Sequence, residues 1–449
     1  MTAEPIITVS GLRGVVGQTL TPEVAAAYVA AFSAELPAGA IVIGRDGRDS
    51  GTMFAEAVTE SLAGCGRRVL DAGVAATPTV GVLVRTLGAA GGIQISASHN
   101  PREYNGLKLF GGQGRVISAV AGARVLDRYR SGTTGRNTAD LVEGEPVEDS
   151  FSAHLELLRA VCDRERIRRR RFHVLLDANH GAGSLLGCAL LRELGCETTV
   201  LGGEPDGDFE HPPEPTAGNL AKVLEQVGRR GKAVGFCQDP DADRLAIIDE
   251  NGRYLGEEKT LALCVDHVLR GGRLGPIVTN CSTSRVSEDL AAKYGVPFFR
   301  SKVGEAHVVD VMLAQNAVLG GEGNGGVIDP RVGLVRDSFV GMSLVLDAMA
   351  ARELPVSELA DELPQYSIHK TTIAVDANRV AAALDVLERH FSDATPGRLD
   401  GLRLDWPDRS WLLVRPSNTE PIVRAFAEAP KLEQAKSLCD RAAAALADF

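Results

Sequence analysis

Short apolar strands that run straight into polar, glycine-bearing loops recur along this chain, and that recurrence restricts it to a layered α/β architecture. Gly92-Ile-Gln-Ile-Ser reads as a buried strand whose carboxyl end delivers Ser98. Ala233-Val-Gly-Phe-Cys leads in the same way into Asp239-Pro-Asp-Ala-Asp-Arg244, and Val318-Leu319 leads into Gly320-Gly-Glu-Gly-Asn-Gly-Gly326. Helical stretches lie between, with their own start and stop signals. Thr21-Pro-Glu supplies an N-cap, a proline at N1 and an acidic first turn, while Thr77-Pro-Thr79 opens a helix that Gly88 closes. Ligands of open α/β sheets bind outside the carboxyl ends of strands, which is where these loops fall.

At 449 residues the chain exceeds one ordinary core and is long enough for about three or four domains. Polar stretches place the boundaries. The expected fold class is α/β: three consecutive α/β domains with mixed sheets over 1–148, 149–254 and 255–365, then a small α+β C-terminal domain over 366–449. In that last unit Ser367-Ile-His-Lys-Thr-Thr-Ile-Ala alternates as a strand. Trp411-Leu-Leu-Val and Ile422-Val-Arg-Ala-Phe flank a loop as a hairpin, and a closing helix is expected over 432–447. Residue-level repetition among the first three units is slight, so any kinship between them is topological.

Ser98 sits in Ile95-Ser-Ala-Ser-His-Asn-Pro101, where it can act as a nucleophile, carry a phosphate, or merely cap the next helix. The alternate aspartates Asp239, Asp241 and Asp243 offer hard oxygen ligands for a divalent cation. An EF-hand begins the same way and Glu250 even falls at its twelfth position, but Arg244 holds the sixth, where that loop needs glycine. Serine and aspartates together point to phosphoryl transfer. Near the C-terminus, Val414-Arg-Pro-Ser-Asn-Thr-Glu-Pro421 offers Arg415, Ser417, Asn418 and Thr419, with Arg424 just beyond, as a phosphate cradle. In the glycine-rich run, Glu322 and Asn324 can accept from and donate to hydroxyls; the bland alternative is a helix N-terminus without a ligand.

These four runs, in this order, resemble the α-D-phosphohexomutase superfamily of phosphoglucomutases, phosphomannomutases and phosphoglucosamine mutases over essentially the whole chain. Further matches are Gly11-Leu-Arg-Gly14, Gly44-Arg-Asp-Gly-Arg48, Thr77-Pro-Thr79, Tyr104-Asn-Gly-Leu-Lys108 and Asn179-His-Gly-Ala-Gly183. The resemblance implies a phosphorylated Ser98 and one magnesium ion bound by Asp239, Asp241, Asp243 and an oxygen on Ser98. Arg13, Arg244 and Lys108 would surround the transferring group, with Lys108 as a candidate acid/base and His99 as an ordering or catalytic neighbour. The substrate phosphate would sit on Arg415, Ser417, Asn418, Thr419 and Arg424. Glu322 would accept from adjacent ring hydroxyls in two reversed orientations, as a hexose 1,6-bisphosphate turns over between two transfers.

Many members read Gly-Glu-x-Ser-Gly-His in the sugar loop, whereas this chain has Asn324 and Gly326 in place of the serine and histidine. That removes one proton-transfer candidate. The Glu-Gly-Asn-Gly-Gly form resembles a phosphoglucosamine mutase subgroup, while Asn418 resembles phosphomannomutase or phosphoglucomutase. Gly304-Glu305 replaces a basic or aromatic residue of some relatives, with Arg285 or Lys302 as compensating substrate contacts. The expected reaction interconverts hexose 6-phosphate and hexose 1-phosphate, with glucosamine phosphate ahead of mannose or glucose phosphate. A phosphoserine-dependent phosphatase and a silent sugar-phosphate sensor are the alternatives, and a second phosphate loop speaks against the phosphatase.

A formal charge of −11 disfavours a nucleic-acid partner, so the cations that hold an anionic substrate must be focused in a cleft: Arg13, Lys108, Arg244, Arg415 and Arg424. Eight cysteines without CxxC pairs read as reduced thiols of a cytoplasmic protein. Met-Thr-Ala-Glu-Pro has no basic n-region, and no apolar run reaches about 18 residues, so neither export nor a membrane helix is expected. The basic run 164–171 reads as a solvated helix end. The expected partner is a small sugar phosphate, bound by a monomer or homodimer.

Overall fold

A computed structural model describes residues 4–132, 144–416 and 422–447. Four sheets follow one another along the chain. The first has seven strands in the order Ile6–Thr8, Gly11–Val15, Tyr104–Gly111, Gly91–Ile95, Ile41–Arg45, Val69–Val74 and Glu145–Pro146. The second runs Leu245–Ile248, Ala233–Gln238, His173–Asp177, Glu197–Leu201, and the third Gly326–Ile328, Leu319–Glu322, Ile277–Asn280, Phe298–Ser301. The fourth is antiparallel throughout: Ser367–Ala374, Ile422–Ala429, Trp411–Pro416, Leu402–Asp405, Thr395–Gly397.

One four-strand plan is used three times. In each of the first three sheets, three parallel strands are followed by an antiparallel strand that pairs with the last of them. The loop that makes this reversal carries Ser98 in the first sheet and the aspartates in the second, and in the third it follows directly on Glu322. The kinship expected to be topological is therefore seen in strand order. The strands that feed the first two loops, Gly91–Ile95 and Ala233–Gln238, are buried along their whole length, as parallel strands covered on both faces must be.

One continuous apolar core, which includes Phe236, Leu245, Leu261, Leu319 and Phe339, spans the second and third units. Helix Ser338–Arg352 lies inside it, buried from Ser338 to Ala350 and capped by Asp337, whose carboxylate accepts from the N–H groups of Phe339 and Val340. The first and fourth units have cores of their own. Thr21 caps helix Pro22–Glu35 as expected. Helix Thr77–Thr86 begins one residue earlier than its sequence signal, with Ala76 at the cap, because the Thr77 hydroxyl is engaged elsewhere. The closing helix is Leu432–Ala445, two residues short of the expected end. The run 164–171 forms helix Arg164–Arg170, with Arg166 paired to Asp347 and Arg164 to Glu193. Among the described residues no helix is long and apolar enough to cross a membrane.

Candidate active site

Ser98 stands on the turn between Gly91–Ile95 and Tyr104–Gly111 with φ at 50°, in the left-handed region that costs a non-glycine residue about 1 kcal/mol. The turn is held from below by Arg48, a side chain 1% exposed. Its guanidinium donates to the carbonyls of Ser98, Asn100, Pro101 and Tyr104 at 2.6–3.0 Å and pairs with Asp46 at 3.0 Å. Asp46 also accepts from Ser96 Oγ, which in turn accepts from the Ser98 N–H. Five donors in a rigid fork can clamp a turn in this way, and a lysine could not.

The aspartate loop folds around its own first member. Asp239 Oδ1 accepts from the N–H groups of Asp243 and Arg244, and Ala242 takes φ 55° to close the turn. Ser98 Oγ donates to Asp239 Oδ2 at 2.6 Å, so serine and aspartates from different domains share one site. Thr77 docks the first domain there: its N–H donates to the Asp241 carbonyl at 2.9 Å and its Oγ1 to Asp241 Oδ2 at 2.5 Å. Lys108, on the strand after the serine turn, reaches Asp243 Oδ2 at 2.6 Å and Asp241 Oδ2 at 3.3 Å.

Asp239 spends both oxygens on the protein, whereas Asp241 and Asp243 each spend one and present the other. Asp241 Oδ1 and Asp243 Oδ1 are buried without a hydrogen-bond partner, and one oxygen from each of the three lies within 4.8 Å of the others. A buried acceptor left unpaired costs about 1–3 kcal/mol, so this donor set fits a hard divalent cation. Burial, with Asp241 and Asp243 alongside, pushes the Asp239 carboxyl well above the usual range. Burial would raise Asp243 too, but Arg336, Lys108 and Arg244 hold it below its ordinary value. Burial opposes the charge on Lys108, yet Asp243 and Asp241 keep its ammonium above the ordinary value.

Around this centre, His99 Nδ1 lies 3.4 Å from Ser98 Oγ. Burial, then the charges of Arg244 and Arg13, push its imidazole down to about 2, so the ring is neutral at working pH. Arg13 donates to Asn100 Oδ1 at 2.9 Å. Arg244 Nε lies 4.0 Å from Asp239 and 3.9 Å from Asp243, and it is buried without a hydrogen-bond partner.

Glu322 ends its strand 3% exposed. It accepts from Asn280 Nδ2 at 2.6 Å, the Gly304 N–H at 3.0 Å and Arg336 Nη1 at 2.6 Å. The glycine-rich run is a hairpin turn, not a helix N-terminus, and Asn324 Oδ1 accepts from the Gly326 N–H within it. Lys302 is exposed on the neighbouring loop. From the fourth domain, Arg415 reaches Asp400 at 3.0 Å, and the same Asp400 oxygen accepts from the Val303 N–H. Arg424 is exposed opposite Arg415 in the strand register. Ser417, Asn418 and Thr419 lie outside the described residues. Arg285 stands apart: its guanidinium pairs with Asp289, lies over the Tyr366 ring and donates to the Arg409 carbonyl. Sequence reasoning missed Arg336 and the clamping role of Arg48; the latter lay in a quoted motif, the former in a run without a local signal.

A serine and an acidic triad shared by two α/β domains, with Glu322 of the third joined to them through Arg336, define a phosphoryl-transfer enzyme. All four parts of one family match. They are phosphoglucomutase/phosphomannomutase alpha/beta/alpha domain I over residues 6–136, domain II over 151–252, domain III over 257–366 and the C-terminal domain over 375–445. The chain is 38% identical over 437 residues to a phosphoglucomutase/phosphomannomutase of Thermococcus kodakarensis, covering 95% of each. It is 32% identical to a probable phosphoglucosamine mutase of Methanopyrus kandleri, covering 96% of this chain and 95% of that one. A putative phosphomannomutase from Thermus thermophilus superposes with a TM-score of 0.84 at 26% identity, over 98% of this chain and 99% of that one. The chain belongs to the phosphoglucomutase/phosphomannomutase family, within the α-D-phosphohexomutase superfamily, and is an enzyme of that class.

Proposed function

We propose that the protein interconverts hexose 6-phosphate and hexose 1-phosphate through a phosphoserine at Ser98, with glucosamine phosphate as its preferred hexose. The observation that carries this reading is the 2.6 Å hydrogen bond from Ser98 Oγ to Asp239 beside two unpartnered aspartate oxygens. Magnesium held by Asp239, Asp241, Asp243 and an oxygen on Ser98 would supply charge neutralisation to the phosphoryl group. Lys108, Arg244 and Arg13 add positive charge from the protein, and His99, uncharged, orders the turn. In the first transfer the serine O–P bond breaks as a sugar hydroxyl oxygen bonds to phosphorus, and the hydroxyl proton leaves to a base. The resulting hexose 1,6-bisphosphate turns over, and the bond from the sugar oxygen to its other phosphorus breaks as Ser98 Oγ bonds to that phosphorus, the serine proton passing to the freed sugar oxygen. Arg415, Ser417, Asn418, Thr419 and Arg424 hold whichever phosphate is not reacting. Glu322, supported by Asn324 and Lys302, accepts from the ring hydroxyls. Eight cysteines without a CxxC pair suit a cytoplasmic enzyme.

The glucosamine preference is supported by the glycine-rich form of the sugar loop and by relatives at 30–33% identity named probable phosphoglucosamine mutase. The relative named phosphoglucomutase/phosphomannomutase at 38% identity favours mannose or glucose phosphate as the second reading. A coupled assay on the three 1-phosphates decides between them: a preference of about tenfold, roughly 1.4 kcal/mol in transition-state binding, names the substrate. Ser98→Ala is expected to abolish turnover, and an intact mass higher by one phosphate, lost on adding substrate, is expected of the wild type. More than a few per cent of activity left in Ser98→Ala removes the serine from its role.

A further inference from the structure

Arg336 lies between strand Gly326–Ile328 and helix Ser338–Arg352 and is 7% exposed. Its backbone is pinned on both sides. Its own N–H donates to Glu305 Oε1 at 2.8 Å, and the Asp337 N–H donates to the Val327 carbonyl at 2.8 Å. The guanidinium forks between two carboxylates, Nη2 to Asp243 Oδ2 at 2.5 Å and Nη1 to Glu322 Oε2 at 2.6 Å. Among the described residues Arg336 is the sole cation in ion-pair range of Glu322, whose remaining donors are the neutral Asn280 amide and Gly304 N–H. Room for the arginine comes from Gly326: a Cβ there would stand 2.3 Å from Arg336 Cδ and 2.7 Å from its Cγ. Any side chain at 326 therefore has to displace the stem of Arg336.

We propose that Arg336 is a positioning residue that locks Glu322 of the sugar loop to Asp243 of the aspartate loop, fixing a ring hydroxyl against the Ser98 phosphoryl group in either orientation of the sugar. The assignment rests on the phosphohexomutase reading. A guanidinium keeps its proton at any working pH, so Arg336 holds geometry and charge and moves no proton. Its planar fork serves two carboxylates at once, which an ammonium on a flexible stem does not.

The test uses the full chain carrying Arg336→Met, Arg336→Lys or Gly326→Ala. It measures kcat and KM on the hexose phosphate that is turned over, and calorimetric titration with magnesium chloride alone. Arg336→Met is expected to lower kcat by about 100-fold, as loss of one preorganised charged donor does, with KM within about fivefold because the phosphate loop still anchors the substrate. It also removes a positive charge beside Asp243, so magnesium binds roughly threefold or more tightly, an effect no general loosening of the fold produces. Arg336→Lys, which reaches one carboxylate, keeps magnesium affinity near wild type and holds kcat about tenfold below it. Gly326→Ala changes no charge yet lowers kcat as Arg336→Met does. A folded Arg336→Met with kcat within about fivefold of wild type, or with magnesium affinity falling alongside kcat, overturns the proposal. If Arg336→Met does not fold, full activity in Arg336→Lys overturns it and a partial loss at unchanged magnesium affinity supports it. Should the wild type turn over no hexose phosphate, the parent reading fails instead, and the magnesium titration still reports on Arg336.

Discussion

Thr77 shows how a residue with one apparent task performs another. Its local signal is a helix cap, yet its hydroxyl donates to Asp241 Oδ2 at 2.5 Å while its N–H holds the Asp241 carbonyl. The hydroxyl fixes which way the carboxylate turns, and groups that orient a metal ligand typically contribute about 10- to 100-fold in metal affinity. Thr77→Val keeps shape and backbone contact but loses the donor. Magnesium titration is expected to show binding weakened by about tenfold, with the melting temperature little changed. The opposite sign expected at Arg336 follows from charge: valine removes an orienting dipole, methionine a repelling cation.

The reversing hairpin is the element that carries the candidate site residues, and its turns pack on one another. The sugar turn is joined to the aspartate loop by the Leu245 N–H, which donates to the Gly325 carbonyl at 3.2 Å. Gly325 has φ 81°, and a Cβ there would fall 2.3 Å from the Leu245 carbonyl oxygen. Gly325→Ala therefore meets backbone strain and a backbone clash together, and is expected to destabilise the chain by about 2 kcal/mol or more, measured by urea unfolding. Retained stability would mean that the two turns can separate at little cost.

Over the whole molecule the second and third domains share a core, whereas the fourth meets the third through a small apolar cluster of Cys281, Trp411 and Leu413 and through polar groups. Glu428 accepts from Trp411 Nε1 at 2.5 Å and the Arg285 N–H at 2.9 Å, and Glu258 accepts from the Ser284 N–H at 2.9 Å. These carboxyls, with Glu257 and Lys370, line a cavity of about 310 Å³ at the seam. Burial pushes Glu258 up to about 8; Lys370 opposes the shift, while Glu428 and Glu257 add to it. The folded value lies above the ordinary 4.5, so the fold prefers the protonated acid. Its contribution to stability is complete below pH 4.5 and is lost as pH rises through about 8. Unfolding at pH 6 and pH 9 is expected to differ by roughly 2 kcal/mol, and Glu258→Gln to remove most of the difference. A profile that is flat in the wild type would place the carboxyl in contact with water.

The sequence by itself determined the strand-then-loop plan, the serine and the acidic triad, because period, turn chemistry and ligand type are written within a few neighbouring residues. It also marked the arginine of the serine turn as part of a motif without saying what it clamps. Only the tertiary structure decided that three loops occupy one topological position, that Arg336 bridges two of them, and that Arg285 belongs to a domain seam. Those facts depend on which groups meet across 14 to 143 residues of chain, as in Arg336 with Glu322 and Arg285 with Glu428. No local pattern encodes such a meeting; it follows from close packing, in which a missing Cβ at Gly326 leaves room for a charge.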